Sequence, residues 1–311
     1  MMAERFEQLL TPETLDRAWR ELSTDHAVWE LGLPRSEMER HLLLHILKLI
    51  DDVRTGRYRP APLRRFAIAK ANGGQRVLST LCLRDKLLQK ATQIVLEPAA
   101  EQIFHHDSFA YRPRRNVDLA LRRARERIGC GLHWLVDADI RSFFDSIPIK
   151  PLRTRLKAFV ADRELMRLID LWLDLGVSHA SFFNAPRGIA QGAILSPLFC
   201  NLYLDEFDQA MERNKVPLVR YADDFLLFAA DEAQARRALD YARDVLRQLD
   251  LELHPDKTRV TQSGPHVAFL GEQLPTFNPP RPKTPPKQRV DKPNRAPKRK
   301  TQPLGRTALR R

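Results

Sequence analysis

The sequence predicts an α+β fold built on a ferredoxin-like sheet, on three observations. Between residues 131 and 274 the patterning runs strand, helix, strand, strand, helix, strand once the inserted helices are set aside. That is the split βαβ order. Two adjacent aspartates, Asp223 and Asp224, interrupt the apolar run VRYADDFLLF where the middle strands meet. A second acidic pair, Asp137 and Asp139, closes the first strand, WLVDADI.

The elements follow in chain order. Residues 1–60 read as helical, with one amphipathic stretch over roughly 4–22 and another over roughly 36–55. Ser36 is placed as the cap of the second, with Glu39 at the capping-box position. RYRPAP at 57–62 breaks that pattern. In FAIAKANGGQRVLSTL two β-type runs flank Asn72-Gly73-Gly74, a hairpin signal. Helices are expected over about 84–104, over 117–128 with Asn116 as cap, and over about 150–175. Ser196 stands at a cap position with Pro197 first in the next helix. Strands at 216–222 and 225–230 follow, then an amphipathic helix over 231–249, a short strand LELHP at 251–255, and a strand or hairpin over 266–274.

Composition bounds the function classes. The 311 residues are 43% hydrophobic, enough for a folded core of one large domain or a few subdomains. No apolar run approaches the ~20 residues of a membrane span, and MMAERFEQLL has no secretory pattern. Cys82, Cys130 and Cys200 form neither a disulfide framework nor a zinc knuckle, so a cytoplasmic, reducing location is expected. The net charge of +13 is concentrated: residues 275–311 hold twelve Lys/Arg and one acid, which makes +11 and leaves +2 for the rest. Nine of the 22 prolines lie there as well. This tail is expected to be disordered and to contact phosphate backbones, or else to serve as a solubilising tail or linker.

In a ferredoxin-like sheet the first strand lies beside the central hairpin. Strand alternation puts Asp137 and Asp139 on one face. The fold thus carries carboxylates 84 residues apart in sequence to one place, with no matching lysine expected beside them. Such a cluster suits hard divalent cations. Two Mg²⁺ ions so held would form a clamp for in-line phosphoryl transfer. An acidic turn beside a solvated strand end is the plainer alternative.

Five motifs in order resemble one family. YADD at 221–224 looks like the signature of reverse transcriptases, DADIRSFFDSI at 137–147 like their first palm motif, and RGIAQGAILSPLFCNLYLDEFD at 187–208 like their second. SFAYRPRRNV at 108–117 and LELHPDKT at 251–258 are similar to segments of bacterial group II intron-type enzymes. The likeness spans about residues 60–274. It implies a right-hand polymerase fold whose ferredoxin-like palm joins helical fingers: an extension at 1–60, fingers at 61–135, a palm at 136–274 with a fingers-side insertion at 148–190, and the tail at 275–311. It implies an RNA-directed DNA polymerase adding dNTPs to a DNA or RNA primer on an RNA template, with Mg²⁺ or Mn²⁺.

Residue by residue, Asp139, Asp223 and Asp224 fall on the family's metal-binding and catalytic positions, with the carbonyl of Ile140 assisting. Asp137 and Asp145 take supporting or surface roles. Phe144 falls on the steric-gate position, or is simply a core aromatic. Gln191 and Gly192 match the motif lining the nucleotide pocket, and a glycine permits close backbone approach. Lys70 and Arg76 match residues that grip the triphosphate. Lys257 is a candidate general acid toward pyrophosphate, or a surface lysine. Arg187 and Arg84 match template-side positions, and Asn201 could face the pocket. His105-His106-Asp107 reads as a turn rather than a metal site. No full helical thumb is evident, so a short free-standing enzyme is implied, of a kind associated with CRISPR spacer acquisition and other phage defence, with a partner protein supplying grip. Untemplated terminal transfer and a non-catalytic, maturase-like RNA-binding role are the alternatives.

Overall fold

The computed structural model describes residues 4–69, 75–176 and 186–278. The NGG turn with Lys70, residues 177–185 and the basic tail from 279 lie outside them.

The amino-terminal stretch is two helices, not one. α1 (Glu4–Leu9) stops, and α2 (Pro12–Glu21) begins after a Thr11 cap whose hydroxyl accepts from the Thr14 N–H at 3.3 Å. Pro12 has no N–H to continue the first helix and favours the start of the second. The second predicted helix is also divided. It forms α3 (Arg35–Met38), a 3₁₀ turn over Glu39–His41, and α4 (Leu42–Arg54). Ser36 is not its cap: Pro34 holds the cap position and Ser36 lies inside the first turn.

A hairpin, β1 (Arg64–Ala69) with β2 (Gln75–Thr80), precedes the 21-residue helix α5 (Leu83–Ile103). α6 (Val117–Gly129) starts at an Asn116 cap that accepts from Leu119 N–H at 2.9 Å. β3 (Trp134–Asp139), the short α7 (Phe143–Ser146), α8 (Ile149–Val160) and α9 (Arg163–Gly176) follow. α1 docks on the α8–α9 junction through polar caps. Arg5 donates to the Phe159 and Val160 carbonyls at 2.8 and 2.9 Å. Buried Asp162 accepts from the Phe6, Glu164 and Leu165 N–H groups. Each joint satisfies helix-end groups that would otherwise be orphaned.

α10 (Ser196–Arg213), β4 (Leu218–Tyr221), β5 (Asp224–Ala229), α11 (Glu232–Gln248), β6 (Arg259–Gln262) and the ribbon β7 (Ala268–Phe269)–β8 (Glu272–Gln273) complete the chain. The main sheet is antiparallel in the order β4-β5-β3-β6, the ferredoxin-like arrangement. The fourth strand is Arg259–Gln262, not 251–255. Leu251 is buried in the main cluster, and in this segment Leu253 forms an isolated bridge to Ile140. RVTQ is a partly exposed edge strand, so it lacks the apolar pattern that marks the others.

Both faces of the sheet are covered, which explains the unbroken apolar run in β5. Val136, Ala138, Phe225 and Leu227 face the main core, with α10 and α11. Leu135, Leu226 and Phe228 face a second cluster under α6. By alternation Asp137, Asp139 and Asp224 belong to that second face, at its open end. Among the described residues no helix is long and apolar enough to cross a membrane.

Candidate active site

Asp139 is the last residue of β3 and stands opposite Asp224, the first residue of β5. A two-residue turn, Ala222–Asp223, joins β4 to β5. Ala222 carries φ +60°, while Asp223 is not in the positive-φ region, the sign pattern of a type II′ hairpin turn. The Ile140 N–H donates to the Asp223 carbonyl at 3.2 Å, so the turn and the strand end are joined through their backbones. From the other side the His254 N–H donates to the Asp139 carbonyl at 2.8 Å. The expected convergence therefore occurs: Asp139, Ile140, Asp223 and Asp224 share one sheet end.

Two cations attend the cluster. Lys257 Nζ lies 2.8 Å from Asp139 Oδ2, and Arg259 Nη2 2.9 Å from Asp137 Oδ2. The expectation of a cluster without a lysine is thus corrected. The turn over 254–258 hooks onto β3 and carries Lys257 back to it. The pair with Asp139 holds the Lys257 ammonium above its usual range. Burial raises Asp137. Burial, followed by the charges of Asp137, Asp139 and Asp223, pushes Asp224 up to about 7.

Phe144, in α7, is 7% exposed and packs in the main cluster, its ring edge-on to Phe143. Its carbonyl accepts from the Ile189 N–H at 2.9 Å, which draws the 187–192 segment alongside. In that segment the Gln191 carbonyl accepts from Ser79 N–H of β2 at 2.7 Å. Gly192 has φ +99°, and a Cβ there would stand 2.4 Å from the Ser79 carbonyl oxygen. The close approach this glycine permits is to the β1–β2 hairpin. Arg76 lies in β2 opposite Ile68.

Several of the expected site residues make contacts within the chain. Arg187 donates to the Ser146 and Asp250 carbonyls, both at 2.9 Å, which buttresses α7. Arg84 pairs with Glu30 at 2.9 Å and donates to the Arg59 carbonyl, tying α5 to the amino-terminal region. Ser196 is the first helical residue, not the cap, and its hydroxyl donates to the Ala190 carbonyl at 2.7 Å. Asn201 is turned into the core. It is buried, donates to the Ala110 carbonyl at 2.8 Å and accepts from Arg220 at 3.0 Å. Asp145 lies exposed in α7.

Residues 105–107 form the expected turn. His105, His106 and Glu212 nevertheless bring three ligand atoms within 4.8 Å of one another. His105 Nδ1 accepts from the Asp107 N–H at 3.1 Å, so the neutral ring carries its proton on Nε2 and has no free lone pair to give a metal from that nitrogen.

Sequence reasoning missed one group altogether. Arg220 of β4 and Asp208 of α10, both 1% exposed in their side chains, form a buried two-point pair beneath the Ala222–Asp223 turn. An arginine inside the apolar strand pattern VPLVRYA was the available signal.

Carboxylates gathered at the end of a ferredoxin-like antiparallel sheet, with a hairpin and helices before it, define the palm of a right-hand polymerase. Comparison with known proteins gives the family. Residues 68–274 match the family model "Reverse transcriptase (RNA-dependent DNA polymerase)", and the chain belongs to that family. It is 30% identical over 285 residues to protein YkfC of Escherichia coli, covering 78% of this chain and 74% of YkfC. It is 31% identical over 217 residues to the group II intron-encoded protein LtrA of Lactococcus lactis, covering 69% of this chain but 36% of LtrA. A telomerase structure from Candida tropicalis shares the fold over 70% of this chain and 44% of that one, with TM-score 0.52 and 14% identity.

Reverse transcriptases act with divalent metal ions, and the residues present fit such an ion. The donors are carboxylate oxygens suited to a hard cation. Burial, and after it the charges of Asp137, Asp139 and Asp223, raise the Asp224 carboxyl to about 7, a penalty on the ionised form that a divalent cation would relieve.

Proposed function

We propose that this chain extends a primer 3′-hydroxyl with deoxynucleotides copied from an RNA template, using Asp139, Asp223 and Asp224 as its catalytic carboxylates. The observation that carries this reading is the register that sets Asp139 against Asp224 at the sheet end, with Asp223 in the adjoining turn. The three carboxylates and the Ile140 carbonyl would hold Mg²⁺ or Mn²⁺. When bound, that cation acidifies the attacking hydroxyl and balances charge on the leaving pyrophosphate.

The chain's own residues supply the rest. Gln191 and Gly192, held against β2, form the floor on which the incoming base and sugar settle. The Phe144 ring, fixed by Phe143 and the main core, would be the gate that collides with a 2′-hydroxyl. Lys70 and Arg76 would grip the triphosphate. Lys257, 2.8 Å from Asp139 Oδ2, would be the general acid that protonates the leaving pyrophosphate.

The test is primer extension on a defined RNA template with Mg²⁺, with products sequenced. Complementary products from the wild type, abolished by Asp223→Asn in a folded protein, are expected. Undiminished extension by Asp223→Asn overturns the site assignment. Untemplated runs would make the protein a terminal transferase, and RNA binding without incorporation would make it a maturase-like binder.

A further inference from the structure

We propose that Arg220, with Asp208 and Asn201, is a positioning device for Asp223 and Asp224, setting where their turn sits and so how tightly the cluster holds its divalent cation. The inference rests on the reading of this cluster as a cation-dependent polymerase centre.

Arg220 lies two residues before Ala222, on the face of β4 turned toward α10. Its guanidinium makes four hydrogen bonds. Nε donates to Asp208 Oδ1 at 2.7 Å and Nη2 to Asp208 Oδ2 at 2.5 Å. Nη1 donates to Asn201 Oδ1 and to the Ala222 carbonyl, both at 3.0 Å. The last bond reaches the peptide that leads directly into Asp223. Its backbone is held as well. The Arg220 N–H donates to the Asp107 carbonyl at 2.9 Å, and its carbonyl accepts from Phe109 N–H at 2.9 Å. Asn201 extends the chain of bonds to the Ala110 carbonyl at 2.8 Å. The turn is therefore pinned from beneath by Arg220 and from the side by the Ile140 N–H.

This arrangement does more than brace the core. A buried ion pair contributes little net stability compared with apolar residues of the same volume. What it adds is direction. A planar fork with five donors can hold a carboxylate, an amide and a carbonyl at fixed angles, which a lysine cannot. The turn needs holding, because Ala222 keeps a left-handed conformation that only an over-determined setting sustains. Displacing a reacting group by about 1 Å can cost about 100-fold in rate. Arg220 touches no substrate in this account. It acts through Ala222 and Asp223.

The experiment uses the full chain as wild type, Arg220→Lys and Asp223→Asn. Mn²⁺ affinity is read by EPR titration of protein alone, and kcat and dNTP KM by primer extension. Arg220→Lys is expected to fold, to bind Mn²⁺ several-fold more weakly, and to lose kcat by up to about 100-fold while KM for dNTP holds. Wild-type Mn²⁺ affinity and kcat in folded Arg220→Lys overturn the inference while leaving the polymerase reading intact. Should Arg220→Lys fail to fold, Asn201→Ala keeps the Arg220–Asp208 pair and removes one anchor. A several-fold loss of Mn²⁺ affinity supports the inference, and an unchanged affinity overturns it. A wild type that neither binds Mn²⁺ nor extends primers defeats both readings.

Discussion

Replacing Asp224 with Asn should stabilise the metal-free protein while abolishing its chemistry. Asp224 is half-buried beside Asp137, Asp139 and Asp223, and its carboxyl is pushed up from 3.8 to about 7. A carboxyl raised in the folded state favours folding while protonated, and that advantage is lost as pH climbs from about 4 through 7. At pH 8 the ionised side chain therefore costs the fold ~4 kcal/mol relative to a neutral one. If half survives relaxation and water entry, ~2 kcal/mol remains, or ~4–8 °C in Tm for a domain of this size. Urea or thermal unfolding in EDTA at pH 8 and pH 5 is the assay. Asp224→Asn should exceed wild type at pH 8, and the gap should narrow at pH 5, where folded Asp224 is protonated. Added Mg²⁺ should stabilise the wild type and leave the variant unmoved. A variant no more stable than wild type in EDTA at pH 8 would refute the burial and crowding of charge from which the cation site is argued.

Two further outcomes are expected. Gly192→Ala places a Cβ 2.4 Å from the Ser79 carbonyl at φ +99° and should cost ~1–3 kcal/mol from the dihedral alone, with more from the collision and a drop in primer extension. Unfolding curves and dNTP KM check it, and a neutral result would mean β2 and the 187–192 loop do not touch in solution. Phe144→Val should raise rNTP use relative to dNTP by roughly tenfold or more if the ring is the sugar gate. Single-nucleotide incorporation checks this, and unchanged discrimination with lowered stability would leave Phe144 a core aromatic.

The carboxylate cluster was legible in the sequence because its two halves sit at strand ends that period-two alternation exposes. Asp137, Asp139 and Asp224 follow from the pleat once the strand order is known. The polar edge strand RVTQ was not legible, because its exposed face carries no apolar signal. Neither were the breaks at Thr11-Pro12 and within 35–54, where a single proline or one tightened turn outweighs an amphipathic pattern. Lys257 could be placed only after the 254–258 turn was seen to hook onto Asp139. Arg220 was read as part of an apolar strand because its partners, Asp208 and Asn201, lie on a helix that periodicity places but does not orient toward it.

The most direct test is anomalous scattering from Mn²⁺ introduced into crystals of the protein. The account predicts a peak bound by carboxylate oxygens of Asp139, Asp223 and Asp224. A peak at His105, His106 and Glu212, with the sheet end empty and Lys257 still on Asp139, would contradict it.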